Sequence, residues 1–338
     1  MRIFFILPLI LLSTRAWSQA CTGATIIAGV AGNVYNCTTL NISPGTYNFP
    51  ANADFVRVIV TGDVVIASGV ILNLRGANGV SDTTETQAGG AGGPGAGEGG
   101  GNLTGPQDAQ DTPNGGAFGG SDPVCGGGGG GGGFSTAAQA GTPCANSAGG
   151  AGGLFYDITI AFRGGFGGAA GGLGDFGAPL STATGGGGGG AIWISAGGNF
   201  TNNGSINVRG GNGGNGIVKS GGGGGGSGGA IRLEATGQLI NNGIFTLNGG
   251  TGGPGNAPGA RGGNGAAGLY ELIDLDNVIE GTGTGAVGLS GGNEETFRSS
   301  ISCGAVKMKD ENLFFQMMAG FMLVVLISRI RGLIRRSI

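Results

Sequence analysis

The spacing most suggestive of chemistry belongs to two carboxylates, Asp274 and Asp276, on the alternating run LYELIDLDNVIE that begins at Leu269. Carboxylates two residues apart on a strand share a face, an arrangement suited to glycoside hydrolysis or calcium binding. The same pair also serves as the charged face of an edge strand, which discourages aggregation, and that is the favoured reading. Asp82, Asp108, Asp111 and Asp122 lie in a glycine-rich stretch without the dense Asp/Asn spacing of a calcium loop. The chain has no histidine, which removes the usual general base, the usual partner of a nucleophile and the commonest zinc ligand. Matches to GxGxxG follow from glycine abundance and lack a βαβ context; Lys219 follows Val218 rather than glycine, so there is no phosphate loop. The expectation is a protein that is not an enzyme and takes no cofactor or metal. Trp193, Phe155, Tyr156, Phe162, Phe166 and Phe176 are aromatic side chains available as contact points, with at least half of them expected in the core.

The remaining reactive groups are thiols. Cys21, Cys37, Cys125, Cys144 and Cys303 would all meet an oxidising compartment if the chain is exported. Cys21/Cys37 and Cys125/Cys144 are close pairs, and the second brackets the glycine run Gly126 to Gly133. These two pairings are the hypothesis, although four cysteines allow three connectivities and spacing does not choose among them. Cys303 is left over, either free or joined to another chain.

The elements that must position these groups are short strands running into glycine. The chain holds 86 glycines and 11 prolines in 338 residues, too little proline and no strict period for collagen. It is also too apolar and too weakly charged for an ordinary disordered tail. A pattern of alternating apolar residues followed by Arg or Asn and glycines recurs as LNLRGANG from Leu72, IAFRGGFG from Ile160, INVRGGNG from Ile206 and FTLNGGTG from Phe245. Period-two alternation marks a strand with one buried face, and the glycines end it. The longer units beginning at Ala191 and Ala230 share Ala-Ile, an Asn-Asn-Gly turn and their glycine spacing, an internal repeat. Stacked, they would give Ile192, Ile194, Ile206, Val208, Ile231, Leu233, Phe245 and Leu247 one core, with 55–75 adding an earlier layer. The glycine tracts 88–153, 164–190, 210–229 and 249–268 admit two readings, flexible linkers or loops and polyproline-II-like rods lying side by side, with partly ordered loops favoured for 88–153 and closer packing for the shorter tracts.

The two ends differ from the body. Arg2, the apolar run Ile3 to Leu12 and the small residues Ser18 and Ala20 read as a signal peptide over 1–20, with lipidation at Cys21 as the alternative. A second apolar run leads from Leu313 to Ile327, with Leu313, Phe314, Phe315, Phe321, Leu323, Val324, Val325, Leu326 and Ile327 as the expected membrane anchor. Extended over 313–330 it reads as a single transmembrane helix, and Arg329, Arg331, Arg335 and Arg336 form a basic tail that would face the cytoplasm. Residues 21–300 carry 17 acidic against 8 basic side chains, which argues against nucleic-acid binding by the main body. The expected organisation is a signal peptide (1–20), an N-terminal β region (21–87), a glycine-rich loop or linker (88–153), a β-repeat region with glycine tracts (154–300), a juxtamembrane segment (301–312), the helix (313–330) and the tail (331–338). The expected fold is mainly β: β-solenoid-like repeated strands with glycine-rich tracts, polyproline-II-like or flexible, plus one C-terminal transmembrane helix.

The stretch ISAGGNFTNNGSINV resembles the rungs of haemagglutinin-like parallel β-helix adhesins. The whole layout, an exported glycine-rich body followed by an apolar segment and a basic end, resembles the attachment (minor coat) protein of filamentous phages. The phage resemblance implies a non-enzymatic protein of the virion tip. Its body would contact the host pilus or a cell-surface receptor, and its end would sit in inner-membrane lipid beside other coat proteins, with a homo-oligomer as one option. The repeated β pattern departs from that family's linker-separated domains. The alternative is a bacterial glycine-rich surface adhesin or matrix protein with a C-terminal sorting tail, and a β-helix lyase or hydrolase using Asp274 or Asp276 forms a third class.

Overall fold

The computed structural model describes residues 19–27, 34–51, 54–81, 87–101, 108–109, 114–156, 162–174, 183–274, 279–280 and 285–286. All of them lie in a first compact unit, Met1–Gly292; the second, Asn293–Ile338, is outside the described residues. The chain enters through β1 (Gln19–Thr22), a one-turn helix α1 (Gly23–Ile27), β2 (Val34–Ile42) and β3 (Gly45–Asn48). Four three-strand units follow: β4 (Val56–Val60), β5 (Val64–Ile66) and β6 (Val70–Asn73); β7 (Ala191–Ala196), β8 (Phe200–Asn202) and β9 (Ser205–Asn207); β10 (Ala230–Ala235), β11 (Leu239–Asn241) and β12 (Ile244–Thr246); and β13 (Leu269–Asp274), β14 (Ile279–Glu280) and β15 (Gly285–Ala286).

Each strand pairs in parallel with its counterpart in the next unit, Ala191 with Ala230 and Ala230 in turn with Leu269. Alternation turns one side of strands β4 to β12 inward. Val56, Val58, Ile192, Ile194, Ile231 and Leu233 meet Ile66, Phe200, Leu239, Leu72, Ile206 and Phe245 in one core from which water is excluded. The Asn-Asn-Gly turn divides its labour within that stack. Asn202 is buried, donates from Nδ2 to Asn241 Oδ1 at 2.7 Å and accepts from the Gly204 amide at 3.1 Å. Asn203 faces outward and accepts from Asn242 Nδ2 at 3.0 Å.

The ten-stranded sheet runs in the order β13-β10-β7-β4-β2-β5-β8-β11-β14, with β1 beside β2; the five-stranded sheet runs β15-β12-β9-β6-β3. This corrects the expected β-solenoid. Strand β2 continues unbroken through a corner, pairing with β4 by its first half and with β5 by its second, so one sheet folds back on itself into a nearly closed, barrel-like wall. The expected transmembrane helix is corrected as well. Among the described residues no helix is long and apolar enough to cross a membrane, and α1, with five residues, extends only about 7.5 Å. The predicted span 313–330, its anchor residues Leu313 to Ile327 and the tail Arg329 to Arg336 lie outside the described residues. No helix among the described residues supports the expected single-pass localisation.

The glycine tracts form a second, side-chain-poor body. Gly127, Gly130 and Gly133 donate to the carbonyls of Gly120, Ala117 and Asn114, each at 2.9 Å. Gly128 and Gly131 donate to Thr142 and Gln139, both at 3.0 Å, and Gly126, Gly129 and Gly132 donate to Lys219, Gly222 and Gly225 at 2.9–3.0 Å. Every third amide thus addresses the same neighbour, and none of these glycines has a positive φ. A threefold extended helix of this kind is polyproline-II-like; it makes no internal hydrogen bonds, so its amides are free to bond sideways. At most glycine positions a side chain cannot enter this lattice: a Cβ on Gly128 would strike the Arg261 carbonyl, and one on Gly224 the Gly130 carbonyl. The stretch Gly126 to Gly133, within the span read as a loop, is therefore a buried rod. Its amides are satisfied by neighbouring rods, which is what lets a bare backbone be buried.

Candidate binding face

The thiols meet as the close-pair hypothesis has it. Cys21–Cys37 ties β1 to β2 with Cα atoms 5.6 Å apart, and Cys125–Cys144 ties the head of the buried rod to an outer one at 6.0 Å. Cys303 lies outside the described residues.

The carboxylates are spent on structure. Asp274 is buried and its Oδ2 accepts the Leu239 amide at 2.8 Å, so it does not stand on a solvated face; Asp276 lies outside the described residues. Asp108 accepts the Phe118 amide at 2.8 Å, Asp122 that of Val124 at 2.9 Å, and Asp63 that of Asn199 at 2.7 Å. Asp82 and Asp111 are outside the described residues. No group of three or more His, Cys, Asp or Glu among the described residues is arranged to hold a metal ion.

The predicted aromatic contact points separate. Phe166 is buried with Phe134, Phe155 is 56% exposed, Tyr156 stacks on Phe134 with ring centroids 6.0 Å apart, and Phe176 is outside the described residues. Trp193 and Phe162 join a cluster that the sequence did not reveal. On the outward side of the ten-stranded sheet, register places Arg57, Trp193, Arg232 and Glu271 side by side on β4, β7, β10 and β13. Adjacent strands lie about 4.8 Å apart, close enough for the side chains to stack. The Arg57 Cζ is 4.2 Å from the Trp193 ring centroid on one side and the Arg232 Cζ is 4.9 Å away on the other. Phe162 meets Trp193 edge-on at 6.0 Å, Arg232 lies 5.3 Å from the Phe162 ring, and Phe55 packs edge-on against Phe162 at 5.3 Å. Arg232 is neutralised by Glu271, with Nε–Oε2 at 2.7 Å and Nη2–Oε2 at 2.6 Å. Half-desolvated cation–aromatic contacts of this type contribute about 1–2 kcal/mol each, so the stacked arrangement is favoured before any ligand arrives. One signal of it was present in the sequence: Trp193 and Arg232 occupy the same position of the repeat, AIWIS against AIRLE. The position of Arg57 follows only from strand register.

Fold and site together define a nearly closed, barrel-like parallel β wall, braced by glycine rods, with a cation–aromatic cluster on its outer face. Among the described residues, Asp63, Asp108, Asp122 and Asp274 accept from backbone amides and Glu271 pairs with Arg232. Comparison with protein-family models, with curated proteins and with solved structures finds no match.

Proposed function

We propose that this chain is an exported attachment protein of a filamentous phage virion tip that adsorbs to a host pilus or cell-surface receptor. The observation that carries the binding role is the Arg57–Trp193–Arg232 ladder, a stacked aromatic and cationic cluster on an outer sheet face. Arginine and tryptophan held this way are the side chains that most often anchor interfaces, because little entropy remains to be lost when a partner arrives. The two disulfides support export, since such bonds persist in oxidising compartments. The phage assignment itself is supported by the layout of the sequence. A bacterial surface adhesin is the second reading, favoured by the in-register stacking of the repeated units.

The test uses the purified full chain added to intact bacteria of the producing culture. Saturable retention after washing, together with blocked adsorption of filamentous particles, is the expected outcome. Retention that leaves particle adsorption untouched selects the adhesin, and no saturable retention overturns attachment altogether.

A further inference from the structure

Resting on the attachment reading, we propose that the Arg57 side of the ladder is a carboxylate subsite whose ligand is an acidic polysaccharide bearing uronate sugars. The ladder is asymmetric in a way that points to a missing acid. Arg57 and Arg232 flank Trp193 equivalently, yet beyond Arg232 the register supplies Glu271, whereas beyond Arg57 it supplies Val34, 45% exposed. Arg57 has no acid partner among the described residues, and the nearest same-face acid on the neighbouring units, Glu234, stands two strands away.

Two donors lie idle on these stacked side chains. Arg57 Nε and Trp193 Nε1 are both buried without a hydrogen-bond acceptor. A buried donor left unmade costs about 1–3 kcal/mol, and native proteins keep such groups chiefly where something else completes them. One carboxylate meets the need once the Arg57 and Trp193 side chains part slightly to admit it: its oxygens accept from the guanidinium and the indole N–H, and its charge matches Arg57, while Glu271 does the same for Arg232 at the other end.

The fold also indicates what carries the carboxylate. Strand β4 has both of its edges hydrogen-bonded, to β2 and to β7, so a peptide cannot add to the sheet here as an extra strand. Recognition is left to side chains on the outer sheet face, where the exposed Val34 and the half-buried Phe55 and Phe162 offer apolar surface to the C–H faces of a sugar ring.

Titration of the full chain with hexagalacturonate, followed by calorimetry and by Trp fluorescence, tests this. Binding is expected, with a fivefold or greater loss of affinity in Arg57→Gln, at least a twofold loss by calorimetry in Trp193→Phe, which keeps an aromatic ring and deletes the donor, and no change in Arg75→Gln on a rod. The fully methyl-esterified hexamer should not bind, a comparison made on the unmutated chain and so independent of whether any variant folds. Equal binding of the ester, equal binding by Arg57→Gln, or an Arg57-dependent preference for hexaglutamate would each overturn the proposal. Failure to bind hexagalacturonate by a chain still retained on cells removes the ligand class and leaves attachment standing; loss of retention as well removes both.

Discussion

Two kinds of residue hold this molecule together, and each fails differently when changed. Glycines inside the rod lattice are there for the space they leave. Gly224→Ala places a Cβ against the Gly130 carbonyl, a backbone atom that cannot swing aside, so a loss of about 1–3 kcal/mol is expected from overpacking. Ala148→Ser, on an exposed rod position, should stay within about 0.5 kcal/mol; urea midpoints of the two variants make the comparison. The buried asparagines act through hydrogen bonds instead. Asn202→Ala leaves the Gly204 amide without its acceptor and Asn241 without its donor, for an expected loss of about 1–3 kcal/mol. Asn203→Ala, one residue on and exposed, should lose far less in the same measurement.

At the scale of elements, the disulfides stand where they restrain the most disorder. Cys125–Cys144 closes a loop of 19 residues that contains the entire buried rod Gly126 to Gly133. Replacing both cysteines by serine should lower stability by about 3 kcal/mol in the chain-entropy account, read from denaturant unfolding without reductant. Peptide mapping of the unreduced chain should recover Cys21 with Cys37 and Cys125 with Cys144, and any crossed pair would contradict the strand and rod arrangement. The strands themselves were legible in the sequence, because alternation at Ile192/Ile194 and Ile231/Leu233 and the shared Asn-Asn-Gly turn fix period, face and repeat together. The closure of the wall was not, since it depends on β2 passing unbroken through one corner where the later units break. Rod pairing was not legible either: a run of glycines carries no side-chain pattern to say which neighbour each amide addresses. Trp193 could be singled out by type, but its sandwiching by Arg57 and Arg232 needed the register of three strands.

At the scale of the whole molecule, a small apolar core of strands is continued by a larger lattice in which backbone hydrogen bonds take the place of side-chain packing. Leu74, Val208 and Leu247 mark the junction, since each is buried in the core and leads directly into a rod. Unfolding should accordingly be one cooperative event for barrel and rods. Native-state hydrogen exchange at the amides of Gly126 to Gly133 and Gly221 to Gly229 examines this most directly. Ordered rods predict protection close to that of core amides such as Ile194 and Leu233, lost only with global unfolding. Exchange of those glycine amides within seconds, while the core strands stay protected, would contradict the account.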